Sequence, residues 1–307
     1  MTGTTEPHDC PSERGFVLVA VLWLLAALAA LAVIFSLYLS NTARALALND
    51  TALQAEALVS AGVELTAYQL QLTKEDARPA QGAFHTRLNG ADLSVSYVSE
   101  TARIDLNAAP KELIAGLMSA LGAGENGKEL ADRIVAWRSK PTSETASSED
   151  ALYRASGRPY SPRQAPFAHV NELGLVLGIP PALVERALPF VTVFSGASGV
   201  DVFNAPPEVI AALPGMTPLV LKQFLGDRAS LSHDPTAIAN ALGDAKASAT
   251  DQKGPAYRLQ IRVRFPGGRE VGSEVVIAVR GGGGEEPYRV LSWRDEGPVR
   301  RRIQARF

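Results

Sequence analysis

The side chains of this 307-residue chain that could do chemistry are few, and their spacing works against a reaction. His8, His85, His169 and His233 stand far apart, and none has the H-x-x-x-H spacing that places two imidazoles on one helical face around a metal. The stretch SGASG (Ser195–Gly199) misses the G-x-S-x-G spacing of a nucleophile elbow and reads as a loop. Four consecutive glycines in RGGGGEEP (Arg280–Pro287) have no helix after them, so they read as a turn and not as a phosphate loop. Asp105 and Asp201 each stand just before a repeated segment and read as capping or turn residues, not as an acid–base pair. Glu144, Glu149 and Asp150, in SKPTSETASSEDALY, could offer oxygens to a hard cation, but calcium asks for several converging ligands. That stretch reads first as a solvated polar loop, which leaves room for calcium without assigned ligands. No enzyme and no cofactor are expected from these residues.

One junction does carry chemical promise. Gly15-Phe16 follows Glu13-Arg14 and stands directly before a run that is apolar and uncharged from Phe16 to about Leu39. About two dozen residues make roughly 36 Å of helix at ~1.5 Å per residue. A bilayer core needs about 20 residues. The run is too long for the apolar region of a secretory signal, and Leu37–Asn41 offers no A-x-A cleavage site. It should stay with the mature protein, and a plain signal-anchor helix is the alternative on these residues alone. The Gly-Phe arrangement resembles the class III signal of type IV pilins and pseudopilins. The resemblance implies cleavage after Gly15 by a prepilin peptidase on the cytoplasmic side and N-methylation of Phe16. Most such proteins have Glu at the fifth mature position, where this chain has Ala20.

Composition suits an anchored globular protein, with 46% hydrophobic and 20% charged residues and a formal net charge of −2. Loss of residues 1–15 takes Glu6, Asp9, Glu13 and Arg14 and leaves 29 acidic and 29 basic side chains. Such a balanced surface gives no electrostatic footprint for nucleic acid. The only cysteine, Cys10, lies in the leader, so the processed chain has no disulfide framework. As a lipidation site, Cys10 lacks a preceding apolar stretch.

The elements that would position these features follow from periodicity. Between Thr42 and Lys74 there is no proline, and Gly62 is the only weak helix former, so one helix could run from Phe16 to about Thr73. A separate amphipathic helix after a hinge near Asn49-Asp50 is the alternative. Leu58, Ala61, Leu65, Tyr68 and Leu72 form a 4-3-spaced stripe expected to face a partner layer. Leu93, Val95 and Tyr97 alternate with Ser94, Ser96 and Val98. Tyr257, Leu259, Ile261, Val263 and Phe265 alternate likewise, and Pro266-Gly267-Gly268 turns the chain into Val271–Val279, with a further strand at Tyr288–Trp293. These predict a small antiparallel sheet against the N-terminal helix, with strands from both ends of the chain.

The middle is helical and repeats. NAAPKELIAGL (Asn107–Leu117) and NAPPEVIAAL (Asn204–Leu213) each read as a helix start, with Asn as cap, Pro at the first turn and an early Glu. Hairpins follow at Leu121-Gly122 and Leu213–Met216, and a third unit, Val170–Val191, turns at Gly178-Ile179-Pro180. These units resemble helix-hairpin-helix or SAM-like modules. Some membrane-anchored helix-hairpin-helix proteins bind DNA during competence, which is the rival function. Their hairpins hold phosphate with backbone amides and basic residues. Here only Lys222 lies close behind Leu213–Val220, while Glu125 and Glu185-Arg186 flank the other hairpins, which disfavours nucleic acid.

RIDLNAAPKELIAGLMSALG, LADRIVAWR, RPYSPRQAPFAHVNELGLVLGI, LPFVTVFSG and NAPPEVIAALPGM fall in the order of the K-type minor pseudopilins of type II secretion, a family this chain resembles from Phe16 to about Phe224. The resemblance implies an α+β pseudopilin fold, a long N-terminal helix on a small antiparallel sheet with a large helical insert. It also makes Ala20 ordinary, because that family usually lacks the fifth-position Glu. The expected organisation is a leader over 1–15, a helix over 16–75 that spans the membrane at about 16–39, sheet residues 76–104, a helical insert over 105–250 and sheet residues 251–307. The implied setting is a bacterial inner membrane crossed once, with the body in the periplasm. The implied partners are the I, J and H minor pseudopilins, the major pseudopilin, the prepilin peptidase and the inner-membrane assembly platform. The implied role is initiation of the pseudopilus at its tip in support of protein export.

Overall fold

The computed structural model describes residues 13–140, 143–250, 253–280 and 286–296. Most of the leader expected over 1–15, including Cys10, therefore lies outside the described residues. The chain divides into two units, Met1–Ala57 and Leu58–Phe307. The first contains the apolar part of helix α1 (Glu13–Leu72), whose span Phe16–Thr42 is 27 residues long, wholly exposed, and long and apolar enough to cross a membrane.

The second unit begins with the last turns of α1 and builds a five-stranded sheet. Its strands are β1 (Gln81–Leu88), β2 (Ala91–Ser99), β7 (Ala256–Arg264), β8 (Glu270–Val279) and β9 (Tyr288–Glu296), in the order β1-β2-β7-β8-β9. Every neighbouring pair is antiparallel. The central pair joins the two ends of the chain, with Asp92 opposite Arg264 and Ser99 opposite Tyr257. Strand β1 was not expected. Its signal is Asn89-Gly90, both with positive φ (47° and 79°), a pair suited to the two-residue hairpin that connects β1 to β2.

The helix meets this sheet with a different face from the one predicted. Of the expected stripe only Leu58 is buried; Leu65, Tyr68 and Leu72 are 37%, 61% and 70% exposed. The face on the sheet is Leu58, Val59, Val63, Ala67 and Leu70, packed on Leu93, Val95, Tyr97, Leu259 and Ile261. The physical reason is close approach. A Cβ on Gly62 would stand 3.2 Å from Val95 and 3.3 Å from Ile261, so the helix lies nearest the sheet at its smallest residue. Beside the contact face, Glu64 accepts a 2.7 Å bond from the Tyr288 hydroxyl, and Gln71 donates to the Pro287 carbonyl. Burial, then the Glu64 carboxylate, push the Tyr288 phenol up to about 12.

Between β2 and β7 the chain forms the helical part. In order it contains β3 (Ile104–Asp105), α2 (Lys111–Met118), α3 (Gly127–Arg138), α4 (Ser143–Ala155), α5 (Pro181–Ala187) and β4 (Val191–Thr192). It continues with β5 (Val200–Asp201), α6 (Pro207–Ala211), α7 (Pro218–Asp227), α8 (Pro235–Leu242) and β6 (Ala249–Thr250). Leu113, Ile114, Leu117, Ile134, Tyr153, Leu173, Val209, Ile210 and Phe224 belong to one continuous core, separate from the core of the sheet. Two short parallel pairings bracket it, β3 with β4 and β5 with β6, so each half starts and ends on adjacent strands.

Candidate functional site: the junction of the sheet and the helical repeats

Glu100 follows β2 and is fully buried. Arg258 of β7 grips it with Nε at 2.8 Å from one carboxylate oxygen and Nη2 at 3.1 Å from the other. Arg103 adds a 3.2 Å bond, and the Thr192 hydroxyl of β4 donates to the second oxygen. Arg258 continues to Glu274 of β8 at 2.8 Å, and Gln260 meets the same carboxylate at 2.8 Å. Arg103 donates back to the Pro189 carbonyl at 3.1 Å. One carboxylate thus ties the sheet to the start and the end of the first helical half. Burial pushes the Glu100 carboxyl up, but the bonds and charge of Arg258, then of Arg103 and Thr192, outweigh it and hold the group below the ordinary carboxylate value. The same contacts raise Arg258, whereas Arg103, desolvated and beside a second guanidinium, is lowered. A cavity of about 630 Å³ opens beside this cluster, lined by Gln81, Ser96, Arg103, Arg258 and Gln260.

The two aspartates placed before the repeats are turn residues. Asp105 accepts from Asn107 N (2.7 Å), Gly196 N (2.7 Å) and the Ser195 hydroxyl (3.1 Å). Asp201 accepts from Phe203 N (3.0 Å) and the Asn204 amide (2.6 Å). Each aspartate carbonyl also accepts a backbone bond from an alanine before the helix, Ala109 at 2.9 Å and Ala205 at 2.8 Å. An arginine from each hairpin's second helix or its end reaches the same turn. Arg138 bonds the Leu106 and Ala109 carbonyls at 2.6 Å, and Arg228 the Ala205 carbonyl at 2.8 Å. The repeat is therefore in register on Asp105 and Asp201.

That register overturns the assignment of the asparagines as caps. Pro110 and Pro206 occupy the cap positions and supply no side-chain bond. Asn107 instead brackets Phe167, with its amide on the Phe167 carbonyl at 3.0 Å and its oxygen on Phe167 N at 2.7 Å. Asn204 sits one place later in the motif and bonds Asp201. The sequence showed this only as a one-residue slip before the proline.

The hairpins turn where expected, with positive φ at Gly122, Gly178 and Gly215. The basic residues beside the first two are engaged: Arg186, next to Gly122, donates to the Leu121 carbonyl at 3.0 Å, and Arg133, next to Gly178, pairs with Glu129 at 2.8 Å. At the last hairpin the apolar Leu219 is 75% exposed, and Lys222 behind it is also exposed. His169 caps the turn Val170–Leu175 through a 3.1 Å bond from Asn171 N. His85 bonds Ser94 on the sheet, and His233 stacks on Phe203 with ring centroids 3.9 Å apart. These imidazoles are not brought together. No group of three or more His, Cys, Asp or Glu able to hold a metal is present among the described residues. Glu149 and Asp150 each keep one buried carboxylate oxygen without a partner, and two such donors fall short of the six to eight oxygens calcium takes. The side chain of Glu144 lies outside the described residues.

Of the processing residues, Gly15 lies within the first turns of α1, Phe16 is exposed, and Ala20 is exposed on the apolar span. With this geometry in place, residues 86–196 match the family model of type II secretion system protein K. This segment is similar to a protein K domain. It runs from within β1 to just past β4 and takes in Glu100, Arg103 and Thr192 of the cluster and the first helical half, whereas Arg258, Gln260 and Glu274 lie beyond it. The wider chain has the fold of a chain in the crystal structure of the GspK-GspI-GspJ complex from the enterotoxigenic Escherichia coli type 2 secretion system. The TM-score is 0.55 at 15% identity, over 79% of this chain and 94% of that one. No curated protein sequence matches the chain.

Proposed function

We propose that this chain is a K-type minor pseudopilin of a type II secretion system, anchored once in the inner membrane with its body in the periplasm. The observation that carries the reading is the match of residues 86–196 to the protein K family model on a chain that also has a membrane-length apolar helix. The prepilin peptidase would cut after Gly15 and leave N-methyl-Phe16 as the first residue. The body would then assemble with the I and J pseudopilins, as the similar structure belongs to a complex of K, I and J proteins. The H-type and major pseudopilins would follow, on the inner-membrane platform. The chain works here through surfaces, without catalysis.

A tip position follows from two features. An unpaired carboxylate within lipid costs several kcal/mol, and Ala20 avoids it in a subunit with no neighbour on that side. The helical part between β2 and β7 is also bulky for a body repeated along a tightly wound shaft. Initiation at the tip, in support of export of folded proteins, is the role this supports. Labelling the periplasmic body on isolated pseudopili should mark one end only. Label spaced regularly along the shaft would overturn the tip assignment.

A further inference from the structure

Strand β1 ends the sheet, with β2 on one side and a free edge on the other. One bond decides which of its residues serve that edge. Ser99 N donates to the Ala80 carbonyl at 2.7 Å, and hydrogen-bonded and open pairs alternate along an antiparallel ladder. Gly82, Phe84, Thr86 and Leu88 therefore commit their backbone groups to β2, and Gln81, Ala83, His85 and Arg87 aim theirs outward. All four of the latter are exposed, and neither proline nor bulge blunts the strand.

The two faces beside that edge differ in chemistry. On the side of α1, Phe84 and Leu88 pack half-buried against the core of the sheet. On the other side, His85 stands opposite Ser94 and Ser94 opposite Arg262, which is exposed and has no carboxylate partner among the described residues. Asp92 is the only acidic residue of β1 and β2, and Arg87 already lies 3.9 Å from it. The cavity of about 630 Å³ opens on this second face, beside Gln81 and Ala83. Its wall holds Gln81 and Ser96, whose side chains have no hydrogen-bond partner among the described residues. It also holds Arg103, which meets one oxygen of a carboxylate it shares with Arg258.

We infer that β1 accepts an extended segment of a partner protein as a sixth strand, with apolar residues toward the α1 side and acidic residues toward the cavity. The outward backbone groups from Gln81 to Arg87 supply the pairing, and the flanking side chains supply the selectivity. Side chains alternate along an added strand, so one set lies beside Phe84 and Leu88 while the other faces the cavity and its guanidiniums. Ala83, the smallest side chain on that row, leaves the way from the edge into the cavity open. The site does not depend on the assembly reading above.

Octapeptides that alternate Val with Glu, Gln or Lys test it on the full-length chain in detergent. The Val/Glu peptide should bind and slow hydrogen exchange at the amides of Ala83, His85 and Arg87, while those of Phe84 and Thr86, already paired, change little. The Val/Gln peptide should bind about fivefold more weakly, and the Val/Lys peptide more weakly still. Ala83→Pro removes an edge N–H that β2 does not use, a change a strand edge tolerates. It should weaken the Val/Glu peptide about fivefold or more and keep the melting temperature of the parent. Arg262→Glu alters no edge residue and should narrow the preference for Val/Glu over Val/Lys. Failure of the Val/Glu peptide to bind, equal binding of all three peptides, or binding that leaves the β1 amides unprotected would overturn the strand site. Undiminished binding by Ala83→Pro would do the same.

Discussion

Gly116 of α2 and Ala212, at the end of α6, are the same position of the two repeats, and they meet: a Cβ on Gly116 would stand 2.0 Å from the Ala212 carbonyl oxygen. Aligning Asp105 with Asp201 aligns these two residues as well. The halves therefore face each other across a near-symmetrical contact at which only glycine fits on one side. Gly116→Ala should force the two helices apart and cost about 1–3 kcal/mol, as overpacking of a filled core does. Gly116→Val should cost more. Denaturant titration of the body that follows the apolar span measures both, and an unchanged midpoint for the alanine variant would refute the contact.

Glu100→Gln keeps the shape of the side chain but leaves the Arg258 and Arg103 guanidiniums without their buried counter-charge. Removing one partner from a buried ion pair costs about 3–5 kcal/mol, a large share of a typical domain's stability. The sign with pH is fixed by the lowered value of Glu100. Its contribution is present above the unfolded carboxylate value of about 4.3 and is lost as pH falls through the lower folded value. The difference between parent and variant should therefore be full at pH 7 and shrink in acid. A gap that is as large at pH 3 as at pH 7 would sink this account.

The paired aspartates should respond differently to the same change. Asp105 accepts three bonds and Gly196 N depends on it, so Asp105→Asn should cost about 2–3 kcal/mol. Asp201 is raised, chiefly by burial and against its bonds to Asn204 and Phe203. Its buried charge thus works against folding once the pH is above the unfolded value. Asp201→Asn should change stability by less than about 1 kcal/mol at pH 7, and compare more favourably with the parent there than at pH 3. Urea titrations of both variants at the two pH values give the comparison.

Processing has its own test. Gly15 offers no side chain to obstruct a peptidase at the start of the apolar span, so Gly15→Leu should block maturation. Mass spectrometry of the membrane-extracted chain should find N-methyl-Phe16 at the terminus of the parent. An intact leader, or a cut beyond Ser36, would rule out the assignment.

The rival function is open to a direct measurement. The body from about Asn41 should show negligible duplex binding at physiological salt. Non-specific DNA binders give dissociation constants of roughly 10⁻⁴–10⁻⁶ M, with steep salt dependence. A micromolar, salt-sensitive affinity would restore the competence reading.

Much of the architecture was legible because period and punctuation are local. The apolar span, the strands at 91–99, 256–264 and 270–279, and the hairpins at Gly122, Gly178 and Gly215 all announce themselves within a few residues. What was not legible depends on the distant partner. The stripe at Leu58–Leu72 is real, but an equally good face at Val59, Val63, Ala67 and Leu70 competes with it. Only the fit of Gly62 against Val95 and Ile261 decides between them. Asn107 and Asn204 look alike in sequence and do different work, because Phe167 lies beside one of them. Glu100 carried no motif at all, and its three partners come from Arg103, Thr192 and Arg258.

The bond from Glu100 to Arg258 spans 158 residues. A chain that leaves the ribosome amino end first must therefore expose β2 as an open edge while the whole helical part emerges. The two parallel strand pairs allow that part to close on itself in the meantime, β3 on β4 and then β5 on β6. Strand β7 arrives afterwards, covers the open edge and brings the counter-charge for a carboxylate already surrounded by Arg103 and Thr192. The order of emergence thus makes the interval before residue 256 the one in which chaperones and proteases have most to act on, and slow emergence would lengthen it.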